Sequence, residues 1–249
     1  MVSEHIIKSY DEELRRLASA ITEMGGLAES QLAAAIRAVI ERDSELASRV
    51  VEGDAVVDRL EREVDSLAVR LLALRQPMAR DLREILAALR IASDLERICD
   101  YAANVAKRSI VLNQAPPVKP VYALPRMVKF AQQLTTDVID AYVQRDAEKA
   151  VAVWARDEEL DEMYSGLFRE LLTYMMEDPR NITPSTHLLF MAKNIERIGD
   201  HATNIAETVY FLVHGTPLDQ ARPKADRSIQ ASAAAAPPRA TPGDGGSAA

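Results

Sequence analysis

Glu96 and Asp100 stand four residues apart, with Asn104 four further on, and Glu196, Asp200 and Asn204 repeat the spacing one hundred residues later. On a helix, residues four apart share a face, one turn above another. Each set therefore presents two carboxylates and an amide as a short ladder. A second carboxylate pair precedes each ladder: Asp54 with Asp58, and Asp157 with Asp161. Adjacent antiparallel helices would bring the pairs together, with Asp54 near Glu96 and Asp157 near Glu196. Four carboxylates at close range repel one another unless something positive joins them. Arg97 and Arg197, beside the motifs, are one source of positive charge, and a bound cation is another. An all-oxygen ligand set suits hard cations such as Mg²⁺, Ca²⁺, Mn²⁺ or ferric iron, not zinc or copper. Carboxylates four apart also occur on solvated helix faces, so a single pair carries little information. Their duplication, and their positions on otherwise apolar seams, favour the cation reading.

The neighbouring residues add little chemistry. Asn104 and Asn204 read as inter-helix polar contacts. His201 has Tyr101 in its place in the first copy, which marks it as a packing or surface residue and not a general ligand. Cys99 corresponds to Gly199, so it reads as a small buried residue. Trp154 and the Met175-Met176 pair read as core or interface. A di-iron carboxylate enzyme on a helical bundle shows Glu-x-x-His, whereas Cys99 and Gly199 stand three residues after Glu96 and Glu196. There is no nucleophile–base set, no glycine-rich phosphate loop and no cofactor fingerprint. These absences point to a binding or regulatory protein and not an enzyme. The alternative is a metal-dependent carboxylate-bundle enzyme or a metal-storage protein.

The elements that must position these groups follow from periodicity. Tyr10, Leu14, Leu17, Ile21 and Met24 step by four and three residues, as one face of a helix does. The pattern resumes at Leu32, Ile36, Val39 and Ile40, and Gly25-Gly26 is expected to loosen the helix between. Asp43 or Ser44 can cap a second helix, whose seam of Val50, Asp54, Val57, Glu61, Val64, Ala68 and Leu71 contains two carboxylates. Gln76-Pro77 ends it. A third helix covers roughly 80–112. The second half repeats the plan, with helices over Leu124 to Tyr142, Ala147 to Met176, and from the Asn181–Pro184 cap region to about Val213. Arg42-Asp43 matches Arg145-Asp146 at the same offset that relates Asp54 to Asp157 and Asp58 to Asp161. The fold class is all-α: two tandem, pseudo-symmetric, antiparallel three-helix bundles over residues 1–113 and 124–215. A stiff, Pro-rich linker joins them over 114–123, and 216–249 is an Ala/Pro/Gly tail expected to be disordered. Hydrophobic residues make up 48% of the chain but aromatics only 5%, which fits helices packed on Ala and Leu. A net charge of −8 argues against nucleic acid as a partner. The single cysteine, with no signal sequence and no membrane-spanning stretch, leads us to expect a cytoplasmic protein.

Leu74-Arg-Gln-Pro-Met-Ala-Arg-Asp-Leu-Arg83, Ile91-Ala-Ser-Asp-Leu-Glu-Arg-Ile-Cys-Asp-Tyr-Ala102 and Asn194-Ile-Glu-Arg-Ile-Gly-Asp-His-Ala202 closely resemble the PhoU family of phosphate-uptake regulators. The resemblance covers about residues 5–215. It implies two symmetric three-helix bundles and a negative regulator of the phosphate-starvation response. Such a protein couples the ATPase of a phosphate ABC transporter to a sensor histidine kinase, peripheral to membrane complexes, and a homodimer is expected. The resemblance also implies multinuclear metal sites, iron in some members with Mn or Mg as other candidates. By position, these fall at Glu96, Asp100, Glu196 and Asp200, with Asp54, Asp58, Asp157 and Asp161 as the matching pairs. Cys99 departs from the glycine common there, and the Ala/Pro tail lies outside the family pattern.

Overall fold

The computed structural model describes residues 2–75, 77–114, 116 and 119–219, and these contain seven α-helices, two 3-10 turns and no strand. The expected disorder of the tail falls almost wholly on residues 220–249, outside the described residues. The first half folds as α1 (Val2–Glu41), α2 (Ser44–Arg75) and α3 (Ala79–Leu112). The second folds as α4 (Leu124–Gln144), α5 (Ala147–Ala155), α6 (Asp157–Glu177) and α7 (Ile182–His214).

The duplicated Arg-Asp pair makes the same turn twice. Arg42 and Arg145 both take the left-handed conformation, at φ 57° and 53°, and so end α1 and α4. Asp43 and Asp146 then cap the next helix, accepting from the Leu46 N–H at 2.8 Å and the Lys149 N–H at 2.9 Å. An aspartate in this role satisfies one of the donors a helix start leaves orphaned. At the far end of α7, Gly215 at φ 76° donates its N–H to the Phe211 carbonyl at 2.8 Å, a left-handed cap that suits glycine.

Four local expectations change. Gly25-Gly26 does not loosen α1, which runs unbroken through both glycines. A Cβ on Gly25 would lie 3.0 Å from Ile139, so the glycine lets α4 approach α1 closely. The helix expected from Ala147 to Met176 is divided at Arg156, at φ −90° and ψ −3°. The Arg156 side chain reaches Asp137 of α4 at 3.4 Å and lies over the Phe130 ring at 4.8 Å. That anchor holds the chain in one tight turn, and Asp157 opens a new helix. Asn181 does not cap α7 with its side chain; its amide instead turns back to the Tyr174 carbonyl at 3.3 Å, closing the end of α6. The last part of the linker, Lys119–Ala123, is a 3-10 turn and not extended chain, a conformation compatible with the φ that Pro120 imposes.

The two bundles share one core. α3 packs along α7, and α1 along α4, so these four helices form a central layer. α2 flanks it on one side and α5 with α6 on the other. Buried Ala88, Ala92, Ala102 and Ala106 of α3, with Ala192, Ala202 and Ala206 of α7, belong to one continuous cluster of Leu, Ile and Val. Small residues let long helices pack closely along their length. Tyr101 and His201, equivalent positions of the two repeats, face each other with ring centroids 5.6 Å apart. Arg108 lies over Phe190 and Arg90 over Phe211, so α3 and α7 run antiparallel about that central pair. His201 also pairs with Asp94 at 2.7 Å, and Asn204 donates to the same carboxylate at 3.3 Å. Those contacts make Asn204 an inter-helix polar contact, as expected.

Candidate metal centres

Each acidic cluster lies where the middle helix of a repeat crosses its last helix. In the first, α2 supplies Asp54 and Asp58, and α3 supplies Glu96 and Asp100. The Asp100 carboxylate is the charge that acts most strongly on both Asp54 and Glu96, with Asp58 acting on each as well. Because α2 and α3 run in opposite directions, the N-terminal member of one pair meets the C-terminal member of the other. Burial and the Asp100 and Asp58 carboxylates push Asp54 up to about 6, with Lys107 opposing. Burial and then Asp100 push Glu96 up to about 7, with Arg97 pulling down and Glu61 and Asp58 pushing further up. Glu61 is itself raised by burial, Asp65 and Asp58, and so belongs to this cluster. Its place on an apolar seam was the signal for it in the sequence. Cys99, fully buried among these acids, has its thiol pushed far up by burial and then by Asp54, so it stays neutral.

Arg97 is the cation that ion-pairs with the first cluster, while Lys107 acts on Asp54. Arg97 lies 3.1 Å from Asp100 and 3.6 Å from Glu96, with more than half of its side chain in solvent.

The second cluster is built differently. Asp157, Asp161 and Glu196 are all buried there. Asp157 stands in the first turn of α6, where the helix N-terminus favours negative charge. Lys193 sits 2.7 Å from Glu196 Oε1, and its ammonium lies 5.0 Å from the centre of the Tyr164 ring. Burial raises the Glu196 carboxyl above its ordinary value, with the Lys193 hydrogen bond opposing and Asp200 adding to the rise. The other carboxylate oxygen, Glu196 Oε2, is buried without a hydrogen-bond partner. Lys193 and Tyr164 were missed as site residues; a lysine three residues before a glutamate on one helix face was the available clue.

At Gly199, side chains of α6 come close to the α7 backbone. A Cβ there would come 2.6 Å from Leu160 Cδ2 and 3.3 Å from Asp157 Oδ1. In the first repeat the equivalent residues are Cys99 and Val57, so a larger side chain on one helix is matched by a smaller one on the other. Cys99 thus reflects a volume exchange between two packed helices.

Among the described residues, no three His, Cys, Asp or Glu side chains stand arranged to hold a metal ion. The donor chemistry nevertheless fits a hard cation. The sets are all oxygen, the first is crowded with mutually repelling acids, and the second leaves a buried carboxylate oxygen unpartnered. Arg97 pairs with Glu96 and Asp100, and Lys193 with Glu196, so the chain itself supplies part of the positive charge at each cluster.

A PhoU domain model matches twice, over residues 21–109 and 124–209. The chain belongs to the PhoU family. It is 53% identical over 226 residues to a phosphate-specific transport system accessory protein PhoU homolog of Caulobacter vibrioides, covering 90% of this chain and 98% of that one. A homolog of the same description from Rhizobium meliloti is 51% identical, covering 91% and 96%. The crystal structure of PhoU from Pseudomonas aeruginosa superposes with a TM-score of 0.80 at 40% identity, over 83% of this chain and all of that one. The phosphate transport system regulatory protein PhoU from Streptococcus pneumoniae gives 0.79 at 28% identity, over 85% of this chain and all of that one. The PhoU matches end well before residue 249, so the C-terminal extension lies outside the PhoU repeats.

Proposed function

We propose that this chain is an accessory regulator of a phosphate-specific transport system. It restrains phosphate uptake and the phosphate-starvation response, as an adaptor between the transporter's ATPase and a sensor histidine kinase. The observation that carries this reading is the 53% identity across 98% of a relative named as an accessory protein of that transport system. The geometry is compatible with a non-enzymatic role. Among the described residues, the polar groups at the clusters are carboxylates, their cationic partners and a neutral thiol, with no nucleophile beside a base. Among the described residues no helix is long and apolar enough to cross a membrane. Contact with the transporter would therefore be peripheral, from the cytoplasm, and a homodimer would present each docking face twice.

The acidic clusters enter this proposal as metal sites. Asp54, Asp58, Glu96 and Asp100 would hold one centre, and Asp157, Asp161, Glu196 and Asp200 the other. A hard cation, whether Mg²⁺, Mn²⁺ or iron, would neutralise each cluster and brace its two helices against each other.

The test is deletion of the gene, with a phosphate-starvation promoter read at high phosphate. Derepression is the expected outcome, together with capture of the transporter ATPase and the kinase from phosphate-replete cells. An unchanged reporter with neither protein captured would overturn the assignment.

A further inference from the structure

A cleft of about 640 Å³ opens between α3 and α7, one helix from each repeat. Arg90 and Asp94 of α3 line it, with Glu207 and Phe211 of α7, and Pro217 and Leu218 complete the wall. Its size suits a small ligand or a short stretch of chain. Gly215, at φ 76°, ends α7 in the left-handed conformation and turns the chain. Pro217 and Leu218 then share the cleft with Glu207 and Phe211, and Leu218 packs against the core. The chain beyond α7 has thus already entered the cleft at Leu218.

Carboxylates outnumber cations in the lining. Asp94 bonds His201 at 2.7 Å and accepts from the Asn204 amide at 3.3 Å. Glu207 is exposed and accepts from the Trp154 indole N–H at 3.0 Å, a neutral donor that leaves its charge uncancelled. Arg90 is the one Lys or Arg among the lining residues, and its guanidinium lies 5.6 Å from the centre of the Phe211 ring. The chain that leaves the cleft has the opposite balance. Residues 220–229 carry Arg222, Lys224 and Arg227 against Asp226 alone. From residue 230 onward only the side chains of Arg239 and Asp244 are charged. The basic residues are therefore concentrated just past Leu218, where the chain leaves the acidic cleft.

We propose that residues 220–229 bind back into the α3–α7 cleft of their own molecule, with Arg222, Lys224 and Arg227 facing Asp94 and Glu207. Reach permits it. Extended chain covers about 3.4 Å per residue, whereas the part of α7 that lines the cleft, from Asn204 to Phe211, is only about 10 Å long. An exposed ion pair between separate molecules is weak. Here the segment is tethered at Leu218, which gives it a high effective concentration at the cleft. Pro223 reduces the conformational freedom that the segment loses on binding. The bound segment touches a helix of each repeat, so it straps the two halves together and covers this side of the α3–α7 groove.

Lys224 is the one lysine beyond Lys193, which allows a direct test. A zero-length carbodiimide joins an amine to a carboxylate that it touches. The full chain, as an equilibrated mixture of isotope-labelled and unlabelled copies, is treated at low salt, digested and read by mass spectrometry. The expected product joins Lys224 to Glu207 or Asp94 within one copy, and its yield should fall at about 1 M salt, which screens exposed charges. Arg222→Gln with Arg227→Gln keeps Lys224 and alters no residue of the helices. It should lower the yield at least about threefold, because two of the three attracting charges are gone. An equal yield from that variant would mean that the tether alone brings Lys224 near, and would overturn the proposal. So would Lys224 joined only to its neighbours Asp219 and Asp226, joined equally to exposed carboxylates elsewhere such as Glu158 of α6, or not joined at all. Products that link labelled to unlabelled copies would place the segment on a second molecule and overturn binding within its own.

Discussion

Gly199 and Leu160 illustrate how a residue pair can be specified only jointly. Gly199→Cys would drive a side chain into Leu160 and Asp157, and we expect a loss of about 1–3 kcal/mol in a urea or thermal melt. Adding Leu160→Val recreates the Val57–Cys99 pair of the first repeat, and most of the loss should return. If the double variant is no better than the single, the volume exchange is not what separates the repeats. A second expectation at this scale concerns pH. Glu96 sits at about 7 and Asp54 at about 6 in the folded chain, both above ordinary carboxylates. Between the unfolded and folded values the native state binds more protons than the unfolded state, so stability falls as pH rises through that range. The destabilisation is absent below about pH 4, accrues to about pH 7 and is complete above it. The melting temperature of metal-free protein should therefore rise when pH is lowered from 8 to 5.5. Asp54→Asn with Glu96→Gln should flatten that slope.

At the scale of the element, the repeated Arg-Asp turn determines where two pairs of long helices fold back. Asp43→Ala and Asp146→Ala each remove a cap acceptor, and each should cost about 1 kcal/mol in chemical denaturation. Asparagine at the same positions should retain most of the stability, because its carbonyl can accept the same N–H. Equal stability of the alanine and asparagine variants would mean that water caps these helices as well as the aspartates do. The division of α5 from α6 is the element-scale difference between the halves. It depends on Arg156 reaching across to Asp137 and Phe130, whereas the matching Gly53 lies within an unbroken α2.

At the scale of the molecule, the two bundles are halves of one core. The α3–α7 and α1–α4 contacts bury the apolar faces of all four inner helices. Residues 1–113 expressed alone would expose the outer faces of α1 and α3. An exposed apolar surface of that extent drives association. The isolated half should aggregate or bind a hydrophobic dye, while residues 1–219 remain monodisperse. A sharp, cooperative melt of residues 1–113 as a soluble monomer would contradict this. The partner contacts proposed above belong to this scale too, because an adaptor needs both halves in fixed relation to present one surface to each partner.

Periodicity, Pro punctuation and the internal repeat were enough to place the long helices and their order, apart from the division of α5 from α6, and to put the four carboxylate pairs on them. These signals are local: a seam of apolar positions three and four apart commits a segment to one buried face whatever its neighbour is. The membership of each cluster was only partly legible. Glu61 was visible as a carboxylate on a seam, but nothing local said which acids it would meet. The proximity of Asp54 to Asp100 depends on the register of two antiparallel helices, which the packing of side chains along their whole length determines. Lys193 looked like any charged residue on a helix, and only the packing of α6 on α7 places its ammonium over the Tyr164 ring while it pairs with Glu196. The break at Arg156 was likewise hidden, since its cause lies on α4, about twenty residues back along the chain. Sequence alone therefore determined which faces must be buried and which charges lie on them. The tertiary structure decided which charges face each other, because electrostatic pairing depends on distances between helices that no local pattern encodes.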